Sequence, residues 1–215
     1  MRLPNIFFPV LLAPIGLFAF GGDLVAQAAH AHMGHVADGW RDTPDQAGLL
    51  PTAVVEAEIA ARHAGLAAAS GSLGAIKAHI GHVANALDPS VEANGPGKGY
   101  GVVKAATGAA THIRLAANSG DASDNVKAHA NHVETSANNV VEWARQVIEL
   151  CGEVKATEDQ AAAAELANKI QAMTQAMVSG RDADGNGQIS WGEGEGGLEQ
   201  AFFHMNLMKR GEGLN

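Results

Sequence analysis

The sequence predicts an all-α protein. Alanine, valine, leucine and isoleucine dominate residues 52 to 178, aromatic residues there are nearly confined to Tyr100 and Trp143, and no alternating β-branched run appears. Ser-Gly and Asp-Pro pairs cut this stretch at Ser70-Gly71, Asp88-Pro89, Ser119-Gly120 and Ser179-Gly180, leaving segments of helix length.

Residues 1–28 read as an export signal: an early charge at Arg2, an apolar run from Ile6 to Phe20, and Ala26-Gln27-Ala28 as a small-residue cleavage site. Cleavage would start the mature chain at Ala29 in the periplasm or outside the cell. The apolar run is shorter than the roughly 20 residues of a membrane span, so no stable span is expected once the signal is removed. A retained signal would act as an anchor. Residues 29–50 form a histidine-rich segment. Helices follow near 52–69 and 72–87, then near 101–118 and 122–151, opened by Pro51, by Ser72, and by Asp121-Ala122-Ser123-Asp124. A fifth, near 158–178, is announced by Thr157-Glu158-Asp159-Gln160, which has the form of a capping box. Short Ser-Gly turns make the first helix antiparallel to the second and the third to the fourth. Residues 51–155 are therefore expected to be a four-helix bundle of two hairpins, with residues 156–215 as a C-terminal helix-loop-helix. The segment between the hairpins contains Gly95-Pro96-Gly97-Lys98-Gly99, which lacks the spacing of a phosphate-binding P-loop and reads as a crossover.

The two hairpins are copies of one pattern, H-x2-L-A-A-x-S-G…K-A-H-x2-H-V. It runs from His63 through His79 and His82 to Val83, and again from His112 through His129 and His132 to Val133. His79 and His82, like His129 and His132, are three residues apart, so each pair shares a helix face beside the apolar stripe. A rise of about 1.5 Å per residue puts His63 at the height of His79, and His112 at the height of His129. Neutral imidazole is the commonest metal ligand, and three such nitrogens make an open trigonal or tetrahedral set for copper, zinc or nickel. A second group follows the cleavage site, where His30, His32, Met33 and His35 gather imidazoles and a thioether suited to copper. His204, beside Phe202 and Phe203, reads as a packing residue. Structural histidines satisfied at helix contacts are the bland alternative.

The run Asp182-Ala183-Asp184-Gly185-Asn186-Gly187-Gln188-Ile189-Ser190-Trp191-Gly192-Glu193 fits the calcium loop D-x-[DN]-x-[DN]-G-x5-E. It resembles an EF-hand. The resemblance implies side-chain oxygens from Asp182, Asp184 and Asn186, a backbone carbonyl from Gln188, Ser190 directly or through water, and Glu193 as the bidentate closing ligand. The run Gly192, Gly194, Gly196 and Gly197 departs from that pattern and weakens the start of the exit helix. The histidine hairpins, on His112-x2-Leu115-Ala116-Ala117…His129-x2-His132 and the first copy, resemble the His-rich small metal-binding proteins of bacterial periplasms. That resemblance implies helical bundles that take up copper and other divalent ions.

Lysine and arginine number 14 against 23 aspartates and glutamates, a net charge of −9, which offers no basic face for nucleic acid and makes cations the natural partners. Cys151 is the only cysteine, so no intramolecular disulfide, cysteine zinc site or covalent haem attachment is available. No hydrolase motif is present, and the Glu-x-x-His pairing of di-iron bundles is missing, so no enzyme is expected. The expectation is exported metal binding or delivery, with a periplasmic protein partner or self-association. The rival readings are a b-type haem bundle for electron transfer or haem carriage, and a calcium-dependent interaction module.

Overall fold

The computed structural model describes residues 27–214, and within them it is all-helical. The segment read as an export signal, residues 1–28, lies outside the described residues apart from its last two. Seven α-helices follow in order: α1 (Ala28–Ala37), α2 (Leu49–Ala68), α3 (Leu73–Leu87), α4 (Val102–Asn118), α5 (Asp124–Ala156), α6 (Gln160–Ser179) and α7 (Leu198–Gly211). Their starts follow local chemistry. Ser72 Oγ accepts from Ala75 N at 3.3 Å, and Ser123 Oγ accepts from Val126 N at 3.1 Å, each satisfying one of the orphan amides of a first turn. Pro51 sits in the first turn of α2, where a missing N–H costs nothing. At α6 the cap is Asp159, whose Oδ1 accepts from Ala161 and Ala162, so the helix begins two residues beyond the predicted place; Thr157 Oγ1 instead accepts from Asp159 N.

Two differences from the expected architecture matter. The histidine-rich segment after the predicted cleavage site is a helix, α1, which buries Ala29, Met33 and Val36 and packs against α4. The second is that α6, expected in the C-terminal helix-loop-helix, packs against α2, α5 and α3, while α7 packs along α5. The core of α2 to α5 therefore continues without a break into Ala163, Ala167, Ile170 and Met177 of α6 and Leu198, Ala201, Met205 and Met208 of α7. Alanines make up much of this core. Ala60, Ala64 and Ala67 of α2 and Ala105, Ala106 and Ala109 of α4 are fully buried, and such small side chains let neighbouring axes approach closely. No helix among the described residues is long and apolar enough to cross a membrane.

The glycine-rich crossover binds an anion, but an internal one. Glu56 of α2 is completely buried, and its carboxylate accepts from the amides of Lys98, Tyr100 and Gly101, each at 3.0 Å. Asn85 holds the other side of the loop, accepting from Gly97 N at 2.9 Å and donating to Glu92 O at 2.8 Å. A Cβ at Gly97 would stand 2.8 Å from Asn85 Oδ1 and 3.0 Å from Glu56 Oε2, so only glycine permits this approach. The loop's amides, arranged as a phosphate cradle would arrange them, are thus consumed in joining α2 to the start of α4.

Candidate metal centres

Nine of the ten histidines converge in three sets of three: His32, His35 and His112; His63, His79 and His82; His129, His132 and His204. Each set takes a His-x2-His pair from one helix and a single histidine from a neighbour, joining α1 to α4, α3 to α2 and α5 to α7. The second set is the one expected from the hairpin. The other two are partnered differently. His112 does not meet His129 and His132 across its own hairpin but meets α1, and His129 and His132 meet His204, which faces the cluster instead of serving only as packing.

The reason lies in how α4 and α5 are flanked. Every one of the nine histidines immediately precedes a buried apolar residue: Met33, Val36, Ala64, Ile80, Val83, Ile113, Ala130, Val133 and Met205 are all at most 2% exposed. One residue is a turn of about 100°, so each imidazole stands on the flank of its helix's core stripe, half-buried, against whichever helix lies on that side. For α3 that helix is α2; for α4 it is α1; for α5 it is α7. The same rotation sends Met33 into the core, so it brings no thioether to the histidines beside it. His30, at the other end of α1, places Nε2 2.9 Å from the Glu212 carboxylate.

The converging atoms are the same in all three sets. His112 Nδ1 lies 3.0 Å from His32 Nδ1 and 3.4 Å from His35 Nδ1; His63 Nδ1 lies 3.2 Å from those of both His79 and His82; His204 Nδ1 lies 3.1 Å from those of both His129 and His132. A neutral imidazole nitrogen carries either a proton or a lone pair. The central nitrogen of each set therefore cannot satisfy both neighbours by hydrogen bonding, and a cation placed among the three would satisfy all of them at once. With metal–nitrogen bonds of about 2.0–2.1 Å, tetrahedral geometry requires nitrogens about 3.3–3.4 Å apart, close to these separations. Burial first, and then the neighbouring imidazoles, pushes the His35, His63, His112 and His132 rings below their ordinary pKa, and the same causes push His204 down to about 4. These rings are thus held in the neutral, lone-pair-bearing form that coordination needs.

Two indoles lie against these sets. Trp40 is 4.7 Å from the His35 ring and 4.8 Å from that of His112, and Trp191 stacks on His132 at 3.9 Å and 20°.

A fourth group has different chemistry. Asp182, Asp184 and Glu195 bring carboxylate oxygens within 4.8 Å of one another. Asp182 accepts from the amides of Gly185, Asn186 and Gly187, which hold its carboxyl below the usual range, the Gly187 contact most of all. Asn186 Nδ2 donates to Asp184 at 2.9 Å, its Oδ1 accepts from Gln188 N at 2.8 Å, and Ser190 donates through N and Oγ to Glu195. The glutamate that faces the two aspartates is Glu195, while Glu193, expected to close the loop, is outside the group. Glycines 192, 194, 196 and 197 delay α7 to Leu198, so the chain runs two residues further before a carboxylate can turn inward. Asn139 of α5 fixes that turn, donating to the carbonyls of Gly192 and Gly196 and accepting from Gly194 N.

The single cysteine, Cys151, is buried on α5, and desolvation pushes its thiol up to about 12. Comparison with protein-family models, curated proteins and solved structures returns no match.

The donor patterns of all three sets, though not their pairing, have a signature in the sequence. Ala31-His32-Met33-Gly34-His35-Val36 repeats the A-H-x2-H-V of the two hairpins, and His204-Met205-Asn206-Leu207 repeats the H-x2-L of His63 and His112.

Proposed function

We propose that this chain is an exported metal-binding protein that carries transition-metal ions on its three histidine sets, for binding or delivery in the periplasm. The observation that carries this reading is the threefold recurrence of one donor arrangement, three Nδ1 atoms on two helices, at separations matching a coordinated ion. Structural histidines would not need the same atom to point inward nine times. The donors are imidazole nitrogens without thiolate, thioether or carboxylate, a set that suits copper, zinc or nickel. Nitrogens already 3.0 to 3.4 Å apart leave no slot for a porphyrin between them, which favours a bare ion over haem.

The hard oxygens of Asp182, Asp184 and Glu195, with Asn186, Gln188 and Ser190 alongside, suit calcium, and we assign that loop to a calcium ion. Arrival of the chain outside the cytoplasm rests on residues 1–28, read as an export signal.

The test is stoichiometry. Full chain dialysed against zinc or copper(II) and analysed by atomic emission should hold three equivalents and show no Soret band. Fewer than one equivalent, or a Soret band in protein taken from its native compartment, would overturn the reading.

A further inference from the structure

The three sets share their donors but not their surroundings. Trp40 packs on two ligand rings of the first set, and its place is built: its amide donates to Ala47 O at 3.1 Å and its carbonyl accepts from Thr43 Oγ1 at 2.7 Å. Closing that turn puts Asp45 and Gln46 at φ 57° and 55°, two successive non-glycine residues in the left-handed region, a conformation kept only where the surroundings impose it. Trp191 stacks on His132 of the third set, its backbone pinned to α5 by Ser136, which donates to Trp191 O at 3.4 Å, and by Asn139 at the next carbonyl. In the His63 set the three imidazoles pack on one another, with centroids 4.6 to 5.8 Å apart, and among the described residues no other aromatic ring lies on them.

This difference bears on how an ion leaves. An ion held by three imidazoles is taken over when an incoming donor occupies its vacant position and an imidazole then swings away. An indole packed on a ligand ring opposes that rotation and keeps water and donors off that side, since the apolar shell of a site controls access to it. Resting on the reading that the sets bind a transition metal, we propose that they form two exchange classes: the sets backed by Trp40 and Trp191 hold their ions in slowly exchanging sites, whereas His63, His79 and His82 form the port at which an acceptor with a nitrogen or oxygen donor takes the ion over.

The experiment uses full chain loaded with zinc and mixed in a stopped-flow instrument with 4-(2-pyridylazo)resorcinol, a chelator whose donors are nitrogen and oxygen. Bound zinc is counted first by atomic emission. One equivalent should leave in a fast phase and two more slowly, by about tenfold or more. His63→Ala should remove the fast phase and leave the slow one. Trp191→Leu and Trp40→Leu should each transfer one equivalent from slow to fast, and Trp191→Phe, which keeps a ring on His132, should not. The unaltered sets in each variant report on folding, because their phases should be unchanged. Release of all three equivalents in one phase, or a fast phase that survives His63→Ala, would overturn the proposal while leaving zinc binding intact. A chain that holds no zinc before the chelator is added would instead overturn the underlying reading.

Discussion

Replacing His204 by alanine should cost one metal equivalent its tight binding and leave the other two untouched. The imidazole of His204 supplies the nitrogen that stands 3.1 Å from both partners in its set, and without it His129 and His132 remain as a two-donor pair. Apparent zinc-binding energies of about 10–16 kcal/mol over four ligands put one ligand at about 2.5–4 kcal/mol. That is about two to three decades of affinity. Competitive zinc titration of the full chain against a chelator of known strength should therefore show two sites of native affinity and one weakened by about 10²–10³-fold. His30→Ala, on a ring that faces Glu212 and joins no set, is the control and should change nothing in the titration. Three sites of native affinity in the His204 variant would show that the third set is not a site, and equal weakening of all three would show that the sets do not act separately.

Glu195→Gln should weaken calcium binding by about tenfold or more in calorimetry, since it removes one of three facing carboxylates, whereas Glu193→Gln should leave the isotherm nearly unchanged; the reverse order would restore Glu193 as the closing ligand. Glu56→Ala would leave the buried amides of Tyr100 and Gly101 and the part-buried amide of Lys98 without their acceptor, and a loss of about 3–5 kcal/mol in urea unfolding is expected, against less than 1 kcal/mol if water replaces the carboxylate without cost. Metal-free protein should lose stability on acidification. Because the rings of His35, His63, His112, His132 and His204 titrate below their unfolded value of about 6.5, the unfolded chain binds more protons from there down to about pH 4, so the urea midpoint should be lower at pH 5 than at pH 7. A midpoint that rises on acidification would contradict the neutral state assigned to these rings.

Much of the helical layout was legible because it is written locally. Ser72 and Ser123 cap α3 and α5 near the places the sequence assigns, and Ser-Gly marks the ends of α2, α4 and α6 within a residue or two. The first helix was missed because a ten-residue helix has little intrinsic stability, and α1 is held by Met33 and Val36 docking on the body. The histidine sets were half-legible for a related reason. A helical wheel tells which flank of α4 carries His112, but what stands opposite that flank is settled by the packing of α1, a tertiary fact with no local signature. His204 read as packing because Phe202 and Phe203 stand beside it, yet both phenylalanines are exposed and the buried neighbour is Met205. Position 12 of the calcium motif assumes a helix that begins on schedule, and four glycines postpone it.

The burial of Cys151 bears on what a copper-loaded form of this protein could suffer. Free sulfhydryls next to redox-active ions are oxidised or capture the ion themselves, and both routes begin from the thiolate. A thiol held near 12 and closed off on α5 supplies almost none of it at neutral pH. In an exported, metal-loaded chain of the kind proposed above, this cysteine would neither cross-link to a second molecule nor compete as a soft donor with the nine imidazoles for the ion.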